Sequence, residues 1–223
     1  MTPIRNLFQM LVHPRRTSRE LAQDTSLHSA SVVVLGFGLI TALLFLVSHL
    51  RHDYPPPASQ LDVWIETWGE FAMLPFLKIP AETYRLTLAL VMLPLSVSIW
   101  ILMAGTARLF ARLAGGSLSF DQYLNLFGHS FFVFWIIGQF LDLAYSVLLS
   151  PWELPALRGE YGPGAYTFFA AFPSVQWFVM LTLGAIYNGI AAHELERYSS
   201  CKAVLVAGAT FIWPIVLISA LLR

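Results

Sequence analysis

The chain has 223 residues, of which 57% are hydrophobic, 14% are aromatic and only 12% are charged, and its formal net charge is zero. A soluble domain carries about 25% charged residues, so this composition predicts a protein whose surface mostly faces lipid. The 13 lysines and arginines are balanced by 13 acidic residues, which argues against nucleic-acid binding. The single cysteine, Cys201, cannot form a disulfide within the chain, and this excludes a disulfide-stapled secreted scaffold.

Five uncharged apolar runs are long enough to cross a bilayer, because a hydrocarbon core about 30 Å thick needs roughly 20 helical residues. We number them spans 1 to 5: Thr25–Leu50, Leu86–Ala107, Gln122–Leu141, Tyr161–His193 and Ala203–Leu222. The predicted fold is therefore all-α and polytopic, with five transmembrane helices. The fourth run is too long for one span, so Pro173 is expected to start that helix and Tyr161–Phe172 to form an aromatic interfacial segment.

The two sides of this five-span alternation differ in lysine and arginine, which concentrate on the cytoplasmic side of short loops. One side carries Arg5, Arg15, Arg16, Arg19, Arg108, Arg112, Arg197 and Lys202. The other side carries Arg51, Lys78, Arg85, Arg158 and Arg223. The first side is expected to be cytoplasmic, which predicts an N-in/C-out protein of the cytoplasmic (inner) membrane. No cleavable signal is recognised before span 1, so that run is expected to remain as an anchor.

Residues 1–26 are predicted to form a cytoplasmic N-terminal segment, ahead of a five-helix membrane domain that covers 27–223. Apolar residues at Ile4, Leu7, Phe8 and Leu11 recur at helical spacing, which predicts a short amphipathic helix. Thr17 and Glu20 have the spacing of a capping box. The basic residues beside it are Arg15, Arg16 and Arg19. They are expected to face lipid, where they either dock on anionic lipid or a partner, or serve as an ordinary positive-inside flank.

The long outer loop, 51–84, contains a second amphipathic pattern. From about Ser59 its apolar residues, among them Trp64, Trp68 and Phe71, share one helical face, and acidic residues line the other. Because tryptophan prefers the headgroup layer, the pattern predicts an interfacial helix on the outer leaflet. Its acidic row is interpreted as a solvated face or, alternatively, as a binding surface.

Polar residues inside the spans are the candidates for function, because ionisable groups are costly in hydrocarbon. A rise of 1.5 Å per residue places Asn125 and His129 on one face of span 3 and Asn188 in the same layer of span 4. They are expected to form one cluster, with His193 and Glu194 at its cytoplasmic end. The cluster is either a proton- or ligand-handling site, as in a small transporter or channel, or a set of packing bonds between helices.

The sequence contains no phosphate-binding loop and no GxSxG, HExxH or CxxC motif. The chain is therefore predicted to have no enzymatic activity and no cofactor. At the outer end of span 1, His49, His52 and Asp53 are residue types that can ligate zinc. An ordinary helix exit explains them as well, and we predict no metal there.

Three stretches resemble motifs of the Yip family of five-span membrane proteins, the Ypt/Rab-interacting proteins and their prokaryotic relatives. They are LVHPRRTSREL at Leu11–Leu21, GGSLSFDQYLNLFGHSFF at Gly115–Phe132 and SSCKAVLVAG at Ser199–Gly208. The residues that carry the likeness are Pro14, Gly115, Gly116, Gln122, Lys202 and Ala203. The resemblance implies a five-helix membrane fold and a non-enzymatic role. Eukaryotic members carry a long cytosolic region linked to GTPase partners, whereas about 25 residues precede span 1 here, so the chain is similar to a prokaryotic-type member.

Small residues spaced four apart predict close contact between spans 4 and 5. They are Ala185 and Gly189 on span 4, and Ala203 and Ala207 on span 5. Together these observations predict a non-enzymatic integral membrane protein that organises membrane or assembles with partner membrane proteins. Its expected partners are the lipid bilayer and either another membrane protein or a second copy of itself.

Overall fold

The computed structural model describes residues 3–24, 26–50, 71–74, 77–79, 81–149, 152, 155–156 and 159–221. The elements in these ranges are helices apart from one short β-hairpin. In chain order they are α1 (Pro3–Val12), α2 (Pro14–Gln23), α3 (His28–Leu50), β1 (Phe71–Leu74), β2 (Leu77–Ile79), α4 (Ala81–Leu113), α5 (Phe120–Ser130), α6 (Phe132–Leu148), α7 (Pro163–Glu196) and α8 (Ser200–Leu221).

Among the described residues, five stretches are long and apolar enough to cross a membrane, as the sequence predicts for a multi-pass membrane protein. They are His28–Val47, Leu86–Leu113, Phe120–Tyr145, Val175–Glu196 and Ser200–Leu217. Spans 1, 2, 4 and 5 correspond to α3, α4, α7 and α8, whereas span 3 consists of α5 and α6, which meet at Phe131.

Span 3 is the centre of the bundle and is the most buried of the five. Its α5 half contacts α1, α2, α3, α4 and α7. Around the junction at Phe131, the rings of Phe37, Phe131, Phe132 and Trp135 pack with centroids 5.0 to 5.8 Å apart. Because neighbouring helices surround α5, the polar side chains of Asn125, His129 and Ser130 are buried in protein.

The N-terminal segment folds as two consecutive helices. α1 covers the stretch for which the sequence predicts an amphipathic helix, but the capping box expected at Thr17 and Glu20 is wrong. Thr17 lies inside α2, and its hydroxyl donates to the carbonyl of His13 at 3.0 Å. The reason is that Pro14, whose fixed φ suits a first helical position, starts α2 one turn earlier.

The start of span 4 also differs from the prediction. α7 begins at Pro163, directly after Gly162, which has a φ of +85°, and it continues without a break through Pro173. The prediction that Pro173 starts the helix is therefore wrong, and residues 163–172 form the first turns of α7. Gly162 and Pro163 supply the helix start, and Pro173 removes one backbone hydrogen bond without ending the helix. The window apolar enough to cross a membrane still begins at Val175.

In the outer loop, Phe71 lies in a β-strand and not on the face of an interfacial helix. β1 pairs antiparallel with β2, and Phe71 is opposite Ile79. The sequence has a proline at position 75, which disfavours a helix that extends through Phe71. The rest of the predicted interfacial helix, including Trp64 and Trp68, lies outside the described residues.

Candidate functional site on the central span

Two amide side chains on α5 bond to the end of α2. The Gln122 Nε2 atom donates to the carbonyl of Ala22 at 2.8 Å. The Asn125 Nδ2 atom donates to the carbonyls of Leu21 and Asp24, both at 2.9 Å. Because the last carbonyls of a helix have no partner within it, these side chains cap the C-terminal end of α2 and hold it against the central span.

His129, one turn further along α5, is buried and has hydrogen-bond partners at both ring nitrogens. Its Nδ1 atom lies 2.9 Å from the carbonyl oxygen of Asn125, which can only accept, so Nδ1 carries the proton. Its Nε2 atom lies 3.0 Å from Oγ of Ser29 and accepts from that hydroxyl. Asn6 Nδ2 in turn donates to the Ser29 Oγ atom at 3.1 Å. This chain of polar groups joins α1, α3 and α5.

A second polar group joins α5 to α7 and α8. Ser130 donates its hydroxyl to Oδ1 of Asn188 at 2.5 Å. Asn188 Nδ2 donates to the Thr210 hydroxyl at 3.2 Å, and that hydroxyl donates to the carbonyl of Ala207 at 2.9 Å. All three side chains are buried, so these bonds tie the three helices together inside the bundle.

The structure thus divides the cluster expected from the sequence into two hydrogen-bonded groups. Asn125 and His129 bond toward α1, α2 and α3, whereas Asn188 bonds to Ser130 and Thr210. The physical reason is that α2 contacts both α5 and α7 and supplies the partners of Asn125. Hydropathy alone gives no information on where such a short helix packs.

Glu196, at the end of α7, is a functional candidate that the sequence analysis missed. Its carboxylate accepts the backbone N–H groups of Ser117 at 2.7 Å and Leu118 at 2.8 Å. It also accepts the hydroxyl of Tyr123 at 3.2 Å. These bonds fasten the turn between α4 and α5 to the end of α7. The sequence feature that could have indicated such a carboxylate is the start of α5. The backbone N–H groups at a helix start have no partner within the helix and attract a negative charge.

Two glycines shape that turn. Gly115 has a φ of +85°, a left-handed conformation that glycine adopts without strain. At Gly116, an added Cβ would collide with the hydroxyl of Tyr198 and would lie 2.9 Å from Oε1 of Glu196. Burial, together with the charge of Glu196, raises the pKa of Tyr198, so this phenol stays protonated and its hydroxyl donates to a backbone carbonyl of α4.

Other residues of the Yip-like motifs lie at the same end of the bundle. The Ser119 hydroxyl and the Gln122 side chain form a capping box at the start of α5. Lys202 Nζ donates to the carbonyl of Ala114 at 3.0 Å. Pro14 starts α2, and Ala203 is buried between α8 and its neighbours. Most of the residues that carry the resemblance therefore hold turns and helix ends together.

The predicted lipid-facing and cytoplasmic-end residues lie on the outside of this region. His193 is exposed. Glu194 forms an ion pair with Arg19, which links α7 to α2. Arg16 pairs with Glu20 one turn along its own helix at 2.8 Å, and the side chains of Arg15, Arg16 and Arg19 are exposed.

Of the three candidate zinc ligands, one belongs to the described part of the chain. His49 lies in the last turn of α3, whereas His52 and Asp53 lie outside the described residues. Among the residues that are described, no group of three or more His, Cys, Asp or Glu side chains could hold a metal ion.

In comparisons with known proteins, no family model, curated protein or solved structure matches the chain. The resemblance to Yip proteins consequently stays a prediction made from the three sequence motifs.

Proposed function

We propose that this chain is a non-enzymatic protein of the cytoplasmic membrane that organises membrane or assembles with partner membrane proteins, in the manner of a compact Yip-like protein. The observation that supports this most is the use of the polar groups inside the spans. Asn125 caps α2, His129 bonds Ser29, and Asn188 joins Ser130 to Thr210 across three helices. Such bonds each contribute about 0.6 to 2 kcal/mol to helix packing.

In the proposed orientation the N-terminus is cytoplasmic and the C-terminus is outside. The support is the exposed positive charge at one end of the bundle, where α2, the turn after α4 and the end of α7 meet. Its exposed cations are Arg15, Arg16, Arg19, Arg112, Arg197 and Lys202. Short loops rich in lysine and arginine face the cytoplasm. Tags fused to Met1 and Arg223 are expected to be accessible from opposite sides, and access to both from one side overturns this orientation.

A surface for assembly is available on the outer side of α8. Val204, Leu205 and Ile212 are 69%, 62% and 55% exposed. Gly208 lies between them, and an added Cβ there would meet no atom of a described residue within 4 Å. A glycine on a lipid-facing surface lets a second helix approach closely, so this face of α8 is the one at which we expect a membrane partner or a second copy.

Cys201 allows the assembly to be measured, because it is the chain's one cysteine and is exposed at the start of α8. Purified protein labelled there with donor or acceptor dyes is reconstituted in vesicles at a low protein-to-lipid ratio, and energy transfer is recorded. Chemical crosslinking in native membranes, followed by affinity capture, tests for a different membrane protein as partner.

The proposal expects either energy transfer above the random level or a stoichiometric crosslinked partner. Gly208→Leu should reduce that signal. Gly36→Leu on α3 is the matched control, because a Cβ added at Gly36 would also lie more than 4 Å from every described neighbour. Random energy transfer combined with no stoichiometric partner contradicts an assembly role, and equal effects of the two substitutions contradict the α8 surface.

One observation favours a second candidate function, a small transporter or channel. The Oδ1 atom of Asn125 is buried and has no hydrogen-bond partner among the residues that the structure describes, and His129 lies one turn away on the same helix. This alternative predicts pH-dependent flux in proteoliposomes that His129→Ala abolishes. The transporter or channel alternative is contradicted if flux is equal in vesicles with the native chain, in vesicles with the variant and in empty vesicles.

A further inference from the structure

We propose that α1 lies inside one leaflet of the bilayer, with the side chains of Ile4, Phe8 and Val12 among the acyl chains. α1 packs on the bundle through Asn6, which is 3% exposed, and Met10, which is fully buried. Its other side leaves Ile4 79%, Phe8 68% and Val12 52% exposed. A helix on the surface of a soluble protein turns its apolar residues toward the core. α1 turns them outward, so its outer side matches a hydrocarbon solvent and not water.

The contacts of α1 give its level in the membrane. Near one end, Asn6 reaches His129 through Ser29, and His129 lies roughly 13 Å along span 3 from its start at Phe120. Near the other end, the Tyr187 hydroxyl donates to the carbonyl of Leu11 at 3.2 Å.

Tyr187 lies roughly 13 Å from the end of α7 at Glu196. Glu196 and the start of α5 are at one level, because Glu196 bonds to Leu118 just before that helix. Both anchors of α1 are therefore equally far from the charged end of the bundle. It follows that α1 runs roughly parallel to the membrane plane, beside spans 3 and 4 and at the level where span 1 begins, since Ser29 is the second residue of α3.

The helix surfaces beside α1 also expose apolar side chains. Val32 on α3 is 44% exposed, and Ile186 on α7 is 47% exposed, and both lie within candidate spans. The apolar side of α1 thus continues a lipid-facing surface. α1 has one charged residue, Arg5, whose long side chain can reach the headgroups while its stem stays in hydrocarbon.

The occupant that matches this face is the acyl-chain layer. Beyond α1, the chain turns at His13, and the exposed Arg15 and Arg16 of α2 follow, at a position suited to the phosphates of the headgroup layer. This placement depends on the membrane embedding of the bundle and not on the assembly role, so the energy-transfer experiment can fail while α1 remains in the leaflet.

Nitroxide spin labels test the placement directly. In a Cys201→Ser background, single cysteines are introduced by Phe8→Cys, by Arg15→Cys and by Phe178→Cys, the last at a residue of α7 that is 60% exposed within span 4. The labelled proteins are reconstituted in vesicles of phosphatidylcholine and phosphatidylglycerol. Collisions are measured with oxygen, which concentrates in hydrocarbon, and with a nickel chelate, which stays in water.

The label at Phe8 is expected to behave like the label at Phe178, with frequent oxygen collisions and few nickel collisions, whereas the label at Arg15 shows the reverse. A Phe8 label that collides with nickel as often as the Arg15 label places α1 in water and overturns the proposal. Protection from both reagents means that protein covers the face and also overturns it. Ile4→Cys repeats the measurement at a second exposed position if the Phe8 variant does not fold.

Discussion

The carboxylate of Glu196 accepts the backbone N–H of Leu118 at 2.8 Å, although the two residues are 78 positions apart. This bond and the neighbouring one to the N–H of Ser117 satisfy donors that precede the first turn of α5 and that have no partner in the helix itself. They connect the end of span 4 to the turn that precedes span 3, so one carboxylate joins two spans at the charged end of the bundle.

Glu196→Gln is expected to lower the free energy of unfolding by about 1 to 3 kcal/mol. A carboxylate accepts from several donors at once, whereas an amide turns one of its two ends toward them as a donor. Thermal unfolding in detergent, followed by the fluorescence of the seven tryptophans, measures the change.

Glu194→Gln is the matched control for that substitution. It breaks the ion pair with Arg19, in which the arginine side chain is 66% exposed and that of Glu194 is 14% exposed. Because water screens the arginine side of the pair, the expected loss is about 1 kcal/mol. If the two variants lose the same stability, the role assigned to Glu196 is wrong.

Gly116→Ala is expected to destabilise the same turn. The new Cβ would collide with the hydroxyl of Tyr198 and press on the carboxylate of Glu196, so these side chains or the turn must shift, and bonds that they make to the turn and to α4 are weakened. Gly36→Ala serves as control, because a Cβ added there in α3 has no described neighbour within 4 Å and alanine favours a helix over glycine by up to about 1 kcal/mol. A lower unfolding midpoint is expected for the first variant only, and a drop of similar size in both argues against the collision.

Asn125→Ala is expected to release the N-terminal helices. It leaves the carbonyls of Leu21 and Asp24 without their donors, at a cost of about 1 to 3 kcal/mol. Trypsin should then cleave after Arg15 or Arg16 faster in proteoliposomes, because α2 separates from α5 more often. Asn188→Ala removes an equally buried amide that bonds α8 and not α2, so cleavage in that variant should stay at the native rate. Faster cleavage in both variants points to general loosening instead.

The five spans could be predicted because a long apolar composition identifies each one independently of its neighbours. The hydrogen-bond partners of the polar residues could not be predicted in this way. The spacing of Asn125 and Asn188 along their helices placed them in one layer, but the packing of α2 decided the partners of Asn125, and the packing of α8 supplied Thr210 to Asn188. Likewise, the spacing of Ile4 and Phe8 identified an amphipathic helix. The spacing could not show that this helix packs on the bundle through Asn6 and Met10 and leaves its apolar side exposed.

The contact between spans 4 and 5 gives the sharpest packing test. A Cβ added at Gly189 would lie 3.0 Å from Cβ of Ala207 and 3.2 Å from the carbonyl oxygen of Ala203, so α7 and α8 approach as closely as small residues permit. Ala207→Leu is therefore expected to push the helices apart and lower the unfolding midpoint in detergent. Ala207→Gly removes one methyl group and should cost no more than about 1 kcal/mol, the helix-propensity difference. Indistinguishable melting curves for these two variants would mean that the close approach of α7 and α8 does not stabilise the fold.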